Sequence, residues 1–287
     1  MYISRAKTIV IKIGSSLLIN DKGVIRKKWL SEFGKDIKEL IDQKKNVIVV
    51  SSGAIALGCK KLNLNKKNLK LDKSQAVASI GQIELMNLFK KNLSSKKINL
   101  SQILITLEDT EKRRRAINAK RTFENLFSLG FVPIVNENDS IATSEIKYGD
   151  NDRLASRVAQ ISGADCLILL SDVDGLYSKN PKLNKNVKLI REIKNIDNNI
   201  EKIATKSTGQ YGTGGMKTKI DAAKICQFSG CYMCIANGLN LRPIKEIIKK
   251  NFCTWFLPRL SKLDARKKWI ISSISPKGEL IIDPRGN

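Results

Sequence analysis

The sequence predicts an α/β fold, a three-layer sandwich with a mostly parallel central sheet. Three observations carry this expectation. Short β-branched runs recur along the chain, they alternate with stretches of helical periodicity, and they are apolar throughout rather than at every second residue. Continuous apolarity marks strands covered on both faces. Alternation of strand and helix is the pattern of parallel crossovers.

Taken in order, Thr8–Ile13 (TIVIKI) reads as the first strand. Lys28–Lys45 follows as a helix, because Trp29, Leu30, Phe33, Ile37, Leu40 and Ile41 repeat at helical spacing. Val47–Ser51 (VIVVS) is the second strand, and Ser74–Leu93 the next helix. Ile103–Thr106 and Val132–Asn136 read as strands around a helix at Asn118–Leu129. Asp152–Ser162 is helical and leads to the wholly apolar run Cys166–Ser171 (CLILLS). Ala222–Phe228 and Tyr232–Ala236 repeat the helix–strand order. No low-complexity linker and no repeat of solenoid period divides the chain before about residue 250, so residues 1–250 are expected to be one domain. Residues 251–287 differ. They hold the strand-like pieces Trp269–Ser272 and Glu279–Ile282 around Pro276-Lys277-Gly278, and read as a C-terminal extension.

Composition excludes more chemistry than it suggests. The chain contains no histidine, which removes Ser-His-Asp and Cys-His nucleophiles, His-ligated zinc and any imidazole base. Cys231 and Cys234 lie three apart on an expected strand, where neighbours point to opposite faces and chelate poorly. The six cysteines therefore read as buried free thiols, and no metal site is expected. The net charge of +25 raises nucleic acid or an anionic surface as a partner. Its lysines are scattered, however, and aromatics at 6% do not interleave with a basic stripe, which argues against nucleic acid. A positive field also suits a small anionic substrate. The opening MYISRAKTIVIKIG is too short in its apolar part to span a bilayer and has no cleavage-like site. A cytoplasmic protein without a membrane partner is expected.

Ligands of open α/β sheets gather at the carboxyl ends of strands. Here those ends carry Lys12-Ile13-Gly14-Ser15-Ser16, Ser51-Ser52-Gly53-Ala54, Asn136-Glu137-Asn138-Asp139 and Ser171-Asp172-Val173-Asp174-Gly175. Any one of these is explained by ordinary turn formation. Four strands ending this way point to a ligand rim. Gly209-Gln210-Tyr211-Gly212-Thr213-Gly214-Gly215-Met216-Lys217-Thr218-Lys219 adds a glycine-rich loop ahead of a helix, where backbone N–H groups can approach phosphate oxygens. It is not a Walker A loop. Gly149-Asp150-Asn151-Asp152 opens another helix with more polar groups than a cap requires, and can hold the lysines or bind an amino group.

These segments, together and in this order over about residues 6–250, resemble the amino acid kinase family. The resemblance implies a sandwich that binds ATP over the strand ends with the acceptor beside it. Lys12, Gly14, Ser171, Asp172, Thr213, Gly214, Gly215, Met216, Lys217, Thr218 and Lys219 match its ATP-binding positions. Ser52, Gly53, Ala54, Asp139 and Asn151 match substrate positions. Lys12 and Lys219 match the two phosphate-contacting lysines, and Asp152 the carboxylate that orients them. Ser171 stands where the family often has Thr. Asn136-Glu137-Asn138-Asp139 with Gly214-Gly215-Met216 and Lys219 implies the member that phosphorylates the side chain of L-glutamate to L-glutamyl 5-phosphate, in proline biosynthesis. The alternative is a sibling acting on another small acid. Mg²⁺, a dimer or tetramer, and inhibition by proline are implied with it. Many relatives continue into a small domain of the kind found in RNA-modifying enzymes, of which residues 251–287 would be the start.

The implied reaction agrees with the residue inventory. A side-chain carboxylate with a pKa of about 4.3 is already ionised at neutral pH and needs no general base. Catalysis then reduces to positioning and to stabilising charge on the transferred phosphoryl group.

Overall fold

The fold is described from a computed structural model, which describes residues 2–20, 23–65, 69–141, 151–179, 184, 187–206, 215–265 and 267. The strands are β1 (Thr8–Ile13), β2 (Asn46–Ser51), β3 (Asn99–Ile105), β4 (Phe131–Glu137), β5 (Cys166–Ser171), β6 (Glu192–Ile193), β7 (Tyr232–Asn237) and β8 (Cys253–Phe256). They form one sheet in the order β3-β4-β2-β1-β5-β7-β8-β6. The first six in that order are mutually parallel, whereas β8 runs antiparallel to β7 and parallel to β6. The expected mostly parallel sheet is therefore present.

The helices are α1 (Tyr2–Arg5), α2 (Ser15–Leu18), α3 (Lys27–Asp42), α4 (Ala54–Lys61), α5 (Leu71–Leu93), α6 (Leu107–Glu111), α7 (Arg113–Ser128), α8 (Asn151–Ser162), α9 (Asn198–Lys206), α10 (Met216–Phe228) and α11 (Pro243–Lys250). Alternation along β1 feeds two cores. Ile9, Ile11 and Ile13 pack with Phe33 and Ile37 of α3, Phe89 of α5 and Ile244 of α11. Val10 faces the other way, toward Phe123 of α7, Val158 of α8 and Ile220 of α10. Cys231 and Cys234 fall into opposite cores, as a strand requires, and all six cysteines are free and buried. Burial pushes the thiols of Cys166, Cys226 and Cys234 well up, which keeps them protonated and inert.

Several sequence expectations change. Strand β3 begins at Asn99, four residues before the expected start, because it is the edge strand and its first half alternates with polar residues. Helices α7 and α10 begin at Arg113 and Met216, five and six residues before their expected starts. Helix α4 is an element the sequence reading does not contain, because it is only eight residues long. The sheet also runs past residue 250. Strand β8 closes against β7 with Trp255 and Phe256 buried, past the residue-250 boundary expected of the first domain. The strands expected at Trp269–Ser272 and Glu279–Ile282 lie outside the described residues.

Helix α4 is held to α5 by backbone contact. A Cβ at Gly81 would stand 1.8 Å from the Ala54 carbonyl oxygen, and one at Gly58 2.1 Å from that of Val77. Only glycine permits this approach. Gly81→Ala should therefore lower stability by roughly 2 kcal/mol or more, as overpacking of a tight contact does. A thermal melt should show a fall of several degrees; an unchanged midpoint would mean the two helices separate at no cost.

Candidate active site

The strand order reverses at β1. From it the chain builds outward through β2, β3 and β4, then returns to β1's other side with β5. Such a switch point opens a crevice at the carboxyl ends of the strands. Lys12 occupies it, in register with Val50 of β2 and Leu169 of β5.

Helix α8 points its first turn at this crevice, and its first two residues look opposite ways. Asp152 faces the lysines. Its Oδ1 lies 2.7 Å from Lys12 Nζ and its Oδ2 2.9 Å from Lys219 Nζ on α10. The carboxylate is 1% exposed, and the lysine side chains 11% and 8%. The Thr218 hydroxyl sits 3.2 Å from Asp152 Oδ2 and 2.8 Å from the Gly215 carbonyl, and can donate its proton to either. Burial alone would push the Asp152 carboxyl up. The charges of Lys12 and Lys219 and their hydrogen bonds outweigh that and hold it at about 2. Among the described residues, the two ammonium groups share this one carboxylate in a nearly water-free place. Gly14 keeps the adjacent space clear: a Cβ there would stand 3.8 Å from Lys12 Nζ. This cradle fits an anion such as a phosphoryl group.

Asn151 faces the other way. Its Nδ2 donates to Ser52 Oγ at 2.7 Å and to Asn136 Oδ1 at 3.2 Å, with the Ser51 carbonyl 3.4 Å away. Ser52 and Gly53 connect β2 to α4, with Gly53 at φ 121°, and Ala54 is buried at the head of that helix.

The structure thus brings Lys12, Asp152, Thr218 and Lys219 into one cluster, and Ser52 and Asn151 into a second that shares α8. Ser171 closes β5, and its hydroxyl donates to Asp172 at 3.1 Å. Gly215, Met216 and Lys217 form the head of α10, with Lys217 exposed. Asp139 stands half-buried two residues past the end of β4, on the same rim. Thr213 and Gly214 lie outside the described residues, as do Gly149 and Asp150. Gln82 of α5 was missed by the sequence reading: its Oε1 accepts from Asn136 Nδ2 at 2.9 Å. Its signal was a polar residue on the apolar stripe that includes Ala78, Leu85 and Phe89.

The sequence model of the Amino acid kinase family matches residues 7–237. The chain belongs to the amino acid kinase family. Among similar members is the glutamate 5-kinase of Pelagibacter ubique (strain HTCC1062), 78% identical over 283 residues that cover 99% of this chain and 77% of the relative. The glutamate 5-kinase of Nitrobacter hamburgensis is 47% identical, over 99% of this chain and 75% of its own. Solved structures with the same fold include carbamate kinase from Giardia lamblia bound to AMP-PNP and UMP kinase from Ureaplasma parvum. The first has a TM-score of 0.62 at 16% identity and covers 89% of this chain and 99% of that one. The second has a TM-score of 0.58 at 19% identity, covering 88% and 99%. This member of the amino acid kinase family therefore has the family's fold as well as its sequence.

Depression of the Asp152 pKa makes the cluster stabilising above the ordinary carboxyl range. That stability is present above pH ~3.8 and lost as pH falls toward 2, and it amounts to about 2 kcal/mol. Asp152→Asn should melt earlier than the parent at pH 7, with the gap narrowing below pH 4. A gap that stays constant between pH 7 and pH 3 would show that the charge on Asp152 does not support the fold.

Proposed function

We propose that the chain transfers the terminal phosphoryl group of ATP to the side-chain carboxylate of L-glutamate, giving L-glutamyl 5-phosphate for proline biosynthesis. The observation that carries this is the buried cluster in which Asp152 holds Lys12 and Lys219 side by side. The glutamate 5-kinases at 78% and 47% identity support the choice of acceptor. The ATP analogue on a neighbour of the same fold supports the choice of donor.

Lys12 and Lys219 would contact the transferred group, and Asp152 holds both ammonium groups before substrate arrives. Stabilisation of this kind costs no reorganisation at the moment of reaction. Thr218 keeps Asp152 from rotating away. Gly14 and Gly215 offer backbone amides beside the lysines, and Ser171 with Asp172 lines the nucleotide side. Thr213, Gly214, Met216 and Lys217 would complete the nucleotide loop. Both Asp152 oxygens are engaged by lysine, so Mg²⁺ would rest mainly on the phosphates and water, as this ion commonly does. When bound it neutralises charge on the β- and γ-oxygens. Asp139 and Asn151 would receive the substrate ammonium group, since a carboxylate and an amide carbonyl suit a cationic donor. Ser52, Gly53 and Ala54 would receive a carboxylate end. The acceptor oxygen is already anionic, which explains how the chain manages without histidine.

Proline, which shares the α-carboxylate and amino nitrogen of glutamate, would compete at the same subsite. A dimer or tetramer and a cytoplasmic location complete the reading. Among the described residues no helix is long and apolar enough to cross a membrane.

ADP release coupled to a panel of acceptors (glutamate, N-acetylglutamate, aspartate, carbamate, UMP) should give turnover with glutamate alone, and proline should suppress it. Turnover with another acceptor and none with glutamate would refute the reading. Lys219→Ala should depress kcat by about 10²–10³ while the glutamate KM stays nearly unchanged. Asp139→Ala should raise the glutamate KM far more than the ATP KM, and equal losses would assign Asp139 a structural role.

A further inference from the structure

Beneath Ser52–Ala54 run three buried side-chain amides, Gln82, Asn136 and Asn151, ending on the Ser52 hydroxyl. Asn136 is 2% exposed, Asn151 6% and Gln82 8%. Each link is directional. At one end stands the Ser51 carbonyl, which can only accept, and Asn151 turns Nδ2 toward it and toward Ser52 Oγ. The same Nδ2 reaches Asn136 Oδ1, so Asn136 must present its own Nδ2 on the far side, where Gln82 Oε1 accepts it. The orientation of every amide follows from its neighbour. Asn151 Oδ1 is left without a hydrogen-bond partner among the described residues. A buried acceptor with no donor is destabilised, and a ligand bearing N–H groups removes that cost.

We propose that Gln82 is a positioning residue of the glutamate site: by accepting from Asn136 it fixes the direction of the amide chain, so that Asn151 Oδ1 faces the substrate ammonium group as a bare acceptor. Gln82 does this from the right place. Its neighbour Gly81 abuts the Ala54 carbonyl, and Leu85 one turn later stands 3.9 Å from where a Gly53 Cβ would be, so α5 backs the substrate loop along this turn. Without the Gln82 acceptor, Asn136 Nδ2 loses its partner and Asn136 is free to turn over. Asn151 would then face an N–H group instead of a carbonyl, and its own amide would be drawn round, offering Nδ2 to a cation. Gln82 therefore controls recognition of the ammonium group without touching it.

The proposal rests on glutamate being the acceptor, and the experiment separates the two. The parent protein is first assayed with saturating ATP and Mg²⁺; absence of turnover with glutamate refutes the functional reading, and this proposal with it. Given turnover, Gln82→Met, which keeps length and volume but offers no amide, is compared with the parent. The expected result is a rise of about tenfold or more in the glutamate KM, the scale of a hydrogen bond to a charged group. The ATP KM and the inhibition constant of glutarate, which has both carboxylates but no ammonium group, should stay within about twofold. Gln82→Leu gives a second way of filling the same space should the methionine variant not fold. An unchanged glutamate KM, or equal weakening of glutamate and glutarate, overturns the proposal. So does full additivity of Gln82→Met with Asn136→Ala, since a residue acting through Asn136 has no effect once that amide is gone.

Discussion

One carboxylate shared by two ammonium groups is the interaction on which the site depends. A buried ammonium group loses its hydration and needs a partner to replace it. Asp152 is that partner for Lys12 and Lys219 together, and acts from the first turn of α8, where the helix dipole favours an acidic group. Among the described residues the two ammonium groups share this single carboxylate, and all three side chains are shielded from solvent that would otherwise screen them.

Adjacent residues of α8 divide the two halves of the site. Asn151 is tied to the ends of β2 and β4, Asp152 to β1 and α10. In the proposed reaction a single peptide unit would set the spacing between the group that holds the acceptor and the groups that hold the phosphoryl donor. In a reaction governed by positioning, that spacing is the main thing the protein supplies. A helix start is a stiffer mount for it than a loop, because the following turns lock both residues into the core through Leu154, Ala155 and Val158.

Much of this was legible in the sequence, for identifiable reasons. The central strands announce themselves because burial on both faces leaves no polar residue to break the run, and Cys166–Ser171 was read to the residue. Lys12, Asp152 and Lys219 stand out because each is a charge at a strand end or helix start, where the fold leaves room for a ligand. What stayed hidden depends on partners distant in sequence. Gln82 looks like a stray polar residue until Asn136, from strand β4, is seen beside it. Gly58 and Gly81 look like weak points in two helices until the helices are seen to touch through them. Strand β8 is only four residues long, and its place beside β7 is decided by the path of the chain through α11 rather than by its own composition. Edge strand β3 alternates, so its polar half carries no apolar signal.

The central place of β1 has a consequence for how the protein comes into being. Lys12 precedes its partners in the chain, yet it lies in the middle of the finished sheet, between a strand from residue 46 onward and one from residue 166 onward. Its counter-charge at residue 152 and its companion at residue 219 emerge much later. Contacts so far apart along the chain form late, after the entropy of closing long loops has been overcome. A chain grown only as far as residue 218 therefore lacks part of the charged centre. The centre is complete only once three widely separated parts of the sequence have met in one fold.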